Sequence, residues 1–267
     1  MNTEAIDNNK PRLWLKIGGF AGLVIGLGLG LLTLTSAAGI WLGLWDFRRG
    51  FSLLGAANQY GQWLAWACVF ATVATFIVGQ RFKLPDATKF VSLAAIGAAV
   101  AWTAYLIPES FRPAEGVNYP PIHDISTNRV SPPEFVAIAP LRADAPNTLV
   151  YGGSNNMTPQ RLIELTDEAY PDLVTQRYSE SVDAVFDKAL AAVDELGWEL
   201  VAADPAAGRI EATDTTFWFR FKDDVVIKID REGGESVVDV RSVSRVGTGD
   251  VGANAIRMRK LFALLDN

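Results

Sequence analysis

The sequence predicts a membrane-anchored protein in two parts, an α-helical bundle of three transmembrane spans followed by an α+β domain. The first 108 residues contain three long runs without a charged side chain. Those residues carry eight Lys/Arg and four Asp/Glu, a net charge of +4, whereas residues 109–267 carry 16 bases and 26 acids, a net charge of −10. From residue 179 onward, a helical apolar repeat, four strand-like segments and a second helical repeat follow one another.

The uncharged runs extend over residues 17–45, 51–80 and 90–108. A helix needs about 20 apolar residues to cross a bilayer, so we predict transmembrane helices at 17–38, 57–79 and 90–107 within a region 1–108. The alternative for the first run is a signal peptide cleaved after Ala38, since Ser36, Ala37 and Ala38 are small. Apolar sequence continues through Trp45, however, which is too long for the apolar region of a signal peptide.

Basic residues beside the spans predict the orientation. Six of them flank one side, Lys10, Arg12, Lys16, Arg81, Lys83 and Lys89, and three flank the other, Arg48, Arg49 and Arg112. The positive-inside rule then places the N-terminus and the 80–89 loop in the cytoplasm, and everything after Pro108 on the other side of the membrane.

The first span contains a stripe of glycines at four-residue spacing, namely Gly18, Gly22, Gly26 and Gly30. Such a stripe lets a second helix approach closely. We favour packing inside the three-helix bundle, and a homo-oligomer interface is the alternative. The span centres carry no ionisable residue, which argues against an ion carrier. The partner predicted for this region is the lipid bilayer.

Residues 109–178 are predicted to form a proline-rich extended arm. Ten of the thirteen prolines lie between Pro108 and Pro171, and proline interrupts helices and central strands. Apolar residues at regular intervals suggest that the arm packs along the following domain. Thr158 and Pro159 are typical of a helix N-cap and first turn, and they predict a short helix that ends near Ala169.

Residues 179–267 are predicted to form the α+β domain. Ser179 is expected to cap a helix whose apolar stripe runs to Leu196, and Gly197 is expected to end it. The four predicted strands, in an antiparallel meander, are Trp198–Ala203, Arg209–Phe219, Val225–Arg231 and Ser236–Val246. A final helix capped by Asp250 follows, and both helices are expected on one sheet face in a helix-grip-like layout.

Composition excludes several classes of function. An acidic half of −10 is a poor nucleic-acid binder, because binding to phosphates needs clustered Lys/Arg. One Cys excludes an intrachain disulfide and a cysteine-based zinc site, and one His excludes a multi-histidine metal site. We therefore predict no metal and no cofactor.

His123 and Asp124 are the weak catalytic candidates, together with Ser242 and Ser244. A histidine base beside a serine is the pattern of a hydrolase. His123 and Asp124 are adjacent in an extended segment and point to opposite sides, so they cannot pair with each other. A structural role is favoured, with Asp124 bonding to nearby backbone groups in a turn.

Arg241, Arg245 and Thr248 are the candidate ligand-binding residues. Arg245, Thr248 and the amides of the turn before the last helix would hold a phosphate or a carboxylate. The favoured alternative is that Arg241 and Arg245 form cross-strand ion pairs with Glu211, Asp230 or Asp239, while Asp250 caps the helix.

Two further groups of residues, a pair of acids and an aromatic segment, are interpreted as structural. Asp223 and Asp224 are expected in a turn between strands, since further oxygen ligands for calcium are missing. The segment Phe217–Phe221 is expected to place three Phe side chains on one strand face and to pack in the core. A hydrophobic groove for a lipid tail is the alternative.

Three groups of motifs carry a family resemblance. They are Pro120-Pro121-Ile122-His123-Asp124-Ile125-Ser126-Thr127; Gly197-Trp198 with Ile210-Glu211-Ala212-Thr213; and Asp239-Val240-Arg241-Ser242-Val243-Ser244-Arg245-Val246-Gly247. With Asp250-x-Gly252-x-Asn254 and Arg257, they resemble the domain-of-unknown-function 1499 family over about residues 118–265. The resemblance implies a bacterial envelope protein, often with membrane helices before the domain, and it implies no reaction. Together with the predicted orientation, this gives a protein of the inner (plasma) membrane with a periplasmic or extracytoplasmic domain.

These observations favour a membrane-anchored cell-envelope protein that is not an enzyme. Its exported domain is expected to bind an envelope protein or an amphiphilic ligand such as a lipid. The alternative is an envelope hydrolase that uses His123 with Ser242 or Ser244 and the pair Arg241 and Arg245.

Overall fold

A computed structural model describes residues 9–112, 117–153 and 157–267. The chain divides into two compact units, Met1–Ala114 and Glu115–Asn267. Residues 1–8, 113–116 and 154–156 lie outside the described residues, and they include the predicted cytoplasmic N-terminus and two short parts of the predicted arm.

The first unit consists of three helices, α1 (Asn9–Trp41), α2 (Phe47–Arg81) and α3 (Ala87–Glu109). Each is long and apolar enough to cross a membrane, so the three predicted segments are confirmed as apolar helices of spanning length. Helix α1 continues through Ala38 without a break. Asp46 caps α2, because its carboxylate accepts a hydrogen bond from the Arg49 amide at 3.0 Å.

The glycine stripe of α1 lies against the other two helices of the unit. Gly22 faces Ala94, and a Cβ on Gly26 would overlap the backbone of Gly97. Only glycine permits that approach, since it has no Cβ. The stripe therefore serves packing within the bundle, while a homo-oligomer interface stays a prediction.

The second unit is built on an antiparallel sheet. Its strands are β1 (Asp124–Ser126), β2 (Gln176–Tyr178), β3 (Glu199–Asp204), β4 (Arg209–Thr215), β5 (Lys222–Glu232) and β6 (Glu235–Ser244). The strand order is β1-β6-β5-β4-β3, and β2 also pairs with β6. The meander β3–β6 confirms the four predicted strands. The arm supplies β1 and β2, which the sequence did not predict, and both pair with the same edge of β6.

The helices of this unit are α4 (Pro159–Ala169), α5 (Val182–Glu195) and α6 (Ala253–Leu265). Apolar side chains of α5 and α6, such as Phe186 and Met258, share one core with Ile227 and Val240 of the sheet. Both helices therefore cover the same face, as predicted. On the opposite face, Phe135 and Ile138 of the arm pack against Val226 and Val243.

Three predicted boundaries were wrong. Ser181, rather than Ser179, caps α5, because β2 keeps the chain extended through Tyr178. Strand β4 ends at Thr215, and the aromatic residues that follow form a turn instead of a strand face. Asp223 and Asp224 lie inside β5 and are buried, instead of forming a turn.

Candidate functional site

Charged side chains lie buried between the sheet and the arm. Arg241 donates to both oxygens of Asp124 at 3.0 and 2.8 Å, and its guanidinium lies over the rings of Phe135 and Tyr151. The expected turn role of Asp124 was wrong, since Asp124 lies in β1 opposite Val243 of β6 and its carboxylate binds Arg241. Burial raises the pKa of Tyr151 to about 12. Through these contacts Arg241, which lies in β6, binds β1 and packs against two aromatic residues of the arm.

A second buried cluster centres on Asp224. Its carboxylate accepts hydrogen bonds from Arg142 at 2.9 Å, from Thr213 at 2.8 Å and from Arg245 at 2.9 and 2.8 Å. Burial lowers the pKa of Arg142, against the opposing effect of the Asp224 charge. Arg142 comes from the arm and also donates to the Asn147 carbonyl, so the cluster fixes the arm to the sheet.

The predicted ion-pair partners of Arg241 and Arg245 were therefore wrong. Glu211, one of those partners, accepts backbone amides from residues 136–138 of the arm, at 2.8 to 3.1 Å. The paired acids lie on β1 and β5, at positions that only the strand register could identify. A buried guanidinium needs a counter-charge, and these carboxylates provide it.

The anion site predicted at Arg245, Thr248 and the turn amides stays a prediction, and carboxylates of the domain bind two parts of it. Arg245 is engaged by Asp224, and Thr248 is exposed in the loop after β6. The Asp250 carboxylate accepts the amides of Gly252 and Asn254 at 2.9 Å, so a side chain occupies the start of α6. Burial raises the pKa of Asp250. The predicted N-cap was wrong, because α6 begins at Ala253 with Gly252, rather than Asp250, as its N-cap.

On the helix-covered face, both serines bind Asn254. Ser242 Oγ donates to Asn254 Oδ1 at 2.7 Å, and Asn254 Nδ2 donates to Ser244 Oγ at 3.1 Å and to the His123 carbonyl at 3.0 Å. Arg257 Nη1 also donates to Asn254 Oδ1, at 2.6 Å. The network links α6, β6 and the segment before β1.

The His123 side chain is almost fully buried at the edge of this network. Its Nδ1 atom has no hydrogen-bond partner within the part of the chain that the structure describes. Burial lowers the pKa of the imidazole, which keeps it neutral at neutral pH. The ring lines a chamber of about 20 Å³ with Val150, Met157 and Leu162, roughly the volume that one water molecule needs.

The hydrolase alternative requires His123 to hydrogen-bond to Ser242 or Ser244. Among the described residues the structure has no such bond; Ser242 Oγ donates to Asn254, and Ser244 Oγ accepts a hydrogen bond from Asn254. His123, Ser242 and Ser244 do share the Asn254 amide, but only through the backbone carbonyl of the histidine. The chamber beside the imidazole is also far smaller than an ordinary substrate pocket.

A larger cleft opens between the end of the sheet and α6. It has a volume of about 350 Å³, and its lining residues are Leu196, Trp198, Asp214, Thr216, Ala253, Ile256, Arg257 and Lys260. The volume falls within the usual range of small-molecule sites. Neither His123 nor Arg245 lines this cleft.

Arg257 forms the inner polar wall of the cleft. Its Nε and Nη2 atoms donate to Asp214 at 2.9 and 2.8 Å, and Nη2 also donates to Asp223 at 2.6 Å. The guanidinium is therefore fixed by two acids and by Asn254. Lys260 lies one turn further along α6, is exposed, and has no ion pair with any described residue.

Sequence reasoning missed Lys260, Ile256 and Arg142. Ile256 and Lys260 are spaced four residues apart in α6, which indicates one shared helix face outside the predicted apolar stripe. Nothing in the sequence indicated that Arg142 would be buried, because it is a single basic residue among apolar residues of the arm. In the described residues, no group of three or more His, Cys, Asp or Glu side chains is placed to hold a metal ion.

The structure thus defines a class of protein in which three apolar helices, each long enough to cross a membrane, precede an α+β domain with a buried polar network. Residues 124–265 match the family DUF1499, described as a protein of unknown function. The chain belongs to that family, as the sequence motifs indicated. No curated protein matches the chain.

Proposed function

We propose that the protein is a non-enzymatic, membrane-anchored binding protein whose α+β domain takes an amphiphilic ligand in the cleft beside α6. The observation that supports it is the two-sided lining of that cleft. Leu196, Trp198 and Ile256 provide an apolar wall, while Arg257 and Lys260 lie on the polar side. An amphiphile matches both surfaces at once, because its chain covers the apolar wall and its head contacts the cation.

Within the cleft, Arg257 and Lys260 have different tasks. The two acids that bind Arg257 balance its charge, so it shapes the wall and leaves little charge for a ligand. Lys260 has no carboxylate partner in the described chain, and its flexible ammonium suits an anionic head group. We therefore assign the head-group contact to Lys260.

The membrane anchor supports this choice of ligand. A domain joined to transmembrane helices remains near lipids at a high effective concentration, so even a weak site is occupied. A protein partner is the other ligand that the sequence suggested. A cleft of about 350 Å³ fits a small amphiphile better than the broad surface that a stable protein complex buries.

The location and orientation belong to the same proposal. The protein is proposed to lie in the bacterial inner (plasma) membrane with its N-terminus in the cytoplasm and its α+β domain in the periplasm or outside the cell. The six bases on one side of the spans, against three on the other, support this orientation.

Cysteine labelling in intact cells tests the orientation. Cys68 is the only cysteine and is buried, so a Cys68→Ala chain accepts a single reporter. We expect a membrane-impermeant maleimide to label Val130→Cys, which is 95% exposed in the domain, and to spare Asp86→Cys in the 80–89 loop. The reverse pattern would place the domain in the cytoplasm.

Native mass spectrometry of the full chain tests the binding proposal. The wild type is expected to retain an amphiphilic adduct that Ile256→Glu loses, since the substitution places a charge on the apolar wall. Val174→Glu is the matched control, because Val174 is as exposed as Ile256, 47% against 48%, and lies outside the cleft. Equal adducts in both variants would show that the lipid belongs to the transmembrane helices instead.

A further inference from the structure

The two edges of the sheet in the second unit differ in what covers them. At one edge, the three-residue strands β1 and β2 of the arm pair with β6. At the other edge lies β3, which pairs with β4 alone among the described residues. No loop of the described chain forms a backbone hydrogen bond with β3. The outer edge of β3 therefore presents amide and carbonyl groups that a further strand can bind.

Strand β3 lacks residues that commonly protect a sheet edge. Lysine and proline are typical of protected edges, and residues 199–204 read Glu-Leu-Val-Ala-Ala-Asp, with neither. A bulge between Leu200 and Ala202 interrupts the pairing with β4, and residues 202–204 then pair regularly. This regular stretch is as long as β1 and β2, which show that segments of three residues add to this sheet.

The face of β3 on the side of α5 and α6 is aliphatic. Opposite residues of an antiparallel pair lie on the same face of a sheet. Leu200 lies opposite Ala212, which belongs to the core under α5 and α6. Ala203 likewise lies opposite Ile210 of that core. Leu200 is 49% exposed and Ala203 is also exposed, so this face of the edge offers small apolar side chains to a neighbouring strand.

The other face of the β3 edge is acidic. Successive residues of a strand alternate between its faces, so Glu199 and Asp204 lie opposite to the aliphatic pair. Glu199 is exposed and has no ion pair with any described residue. Arg209 lies 3.5 Å from Asp204 and 3.2 Å from Glu211, so one base serves two acids. Residues 194–204 contain four acids and no base, which favours a basic partner.

We propose that β3 accepts an extended segment of a basic partner protein as an additional strand of the sheet. Main-chain hydrogen bonds to the outer edge bind the segment, and alternate side chains select it. Lys or Arg on one face meets Glu199 and Asp204, while aliphatic residues on the other face pack beside Leu200. A second copy of this chain fits poorly, because its own β3 would bring the same acids to the interface. No residue of β3 lines the cleft beside α6, so this surface does not rest on the function proposed above.

Binding of a synthetic peptide to the full chain in phosphatidylcholine nanodiscs tests the proposal. The probe is a fluorescent peptide that alternates lysine and valine over six residues. One control peptide carries an N-methyl group at every residue, which keeps the side chains and removes the amide donors. A second control has the same composition in two blocks, three lysines and then three valines, and therefore has no basic face. Fluorescence anisotropy measures affinity, and hydrogen exchange locates the protected amides.

We expect the alternating peptide to bind and to slow amide exchange in β3. Both control peptides should bind about tenfold more weakly or less, because they lose main-chain hydrogen bonds or the match of the two faces. Glu199→Lys should weaken binding of the alternating peptide by about fivefold, since a cross-strand attraction becomes a repulsion. Glu168→Lys, which changes an exposed acid of α4, is the matched control and should have no effect.

Strand addition at β3 would be overturned if the alternating peptide does not bind, if the N-methylated peptide binds equally, or if the protected amides lie outside β3. Equal binding to Glu199→Lys and Glu168→Lys would also overturn it. The cleft is scored separately, because Ile256→Glu should leave peptide binding unchanged. Loss of the amphiphilic adduct in that variant would uphold the binding function even if the peptide fails to bind.

Discussion

Replacing Asp224 by Asn provides a sharp test of how the arm is held on the sheet. The carboxylate is fully buried and accepts four hydrogen bonds, of 2.8 to 2.9 Å, from Arg142, Thr213 and Arg245. Arg142 is only 2% exposed, so the variant leaves a buried guanidinium without its counter-charge. Breaking a buried ion pair by removing one partner costs about 3–5 kcal/mol, and we expect a loss of that size.

Asp172→Asn is the matched control. Asp172 also accepts two hydrogen bonds from one arginine, Arg259, at 2.6 and 2.7 Å, and these bonds hold the pKa of its carboxyl below the usual value. Both side chains are about half exposed, 51% and 43%. Solvent screens such a pair, so its loss should cost about 1 kcal/mol or less.

Pulse proteolysis of the full chain in detergent measures the loss of unfolding free energy in each variant. The urea concentration is varied, and cleavage of the second unit reports the fraction of it that is unfolded. Asp224→Asn should lower the urea midpoint strongly and expose the arm to cleavage, and Asp172→Asn should shift the midpoint little. Similar losses in the two variants would show that burial, the main difference between the two ion pairs, does not determine the cost of breaking them.

Two further predictions concern the helix bundle and His123. Gly26→Ala should destabilise the first unit by about 1–3 kcal/mol, because the new Cβ meets the Gly97 backbone. Gly28→Ala is the control, because a Cβ there meets nothing within 4 Å, and it should leave the midpoint of thermal unfolding in detergent unchanged or slightly higher. Equal shifts of the midpoint in the two variants would contradict the close packing of Gly26 on Gly97. The pKa of His123 is depressed in the folded state, so the unfolded chain binds more protons and stability should fall as the pH drops through about 6.5. His123→Gln should remove this part of the pH dependence of the urea midpoint, and an unchanged profile would contradict it.

The elements of the fold were predictable where local patterns determine them. Three uncharged runs indicated the spans, and Thr158 with Pro159 indicated the start of α4. The two glycines of the β5–β6 hairpin, Gly233 and Gly234, both have positive φ, which a two-residue turn requires and glycine permits.

The pairing of distant segments was not predictable. Strands β1 and β2 have three residues each, and only their register on β6 makes them strands. Asp223 and Asp224 resembled turn residues because two adjacent acids seldom lie in a central strand. They do so here because Arg257 lies on one face and Arg142 and Arg245 on the other.

The same limit applies to the candidate site. The sequence singled out Arg241, Ser242 and Arg245, and these residues belong to buried networks that hold the arm and α6 on the sheet. The cleft is lined by residues at and just beyond the ends of α5 and β4 and by residues of α6, and these are separated by up to 64 positions in the sequence. The cleft could be identified only from the structure, because it forms where α6 packs on the sheet.

Native mass spectrometry of the full chain, with and without Ile256→Glu, tests most directly whether the cleft beside α6 holds an amphiphile. If the amphiphile binds in the cleft, the wild type and Val174→Glu carry an adduct that is lost from Ile256→Glu and reduced in Lys260→Glu. An adduct of unchanged mass and occupancy on all four chains, or none on the wild type, would contradict it.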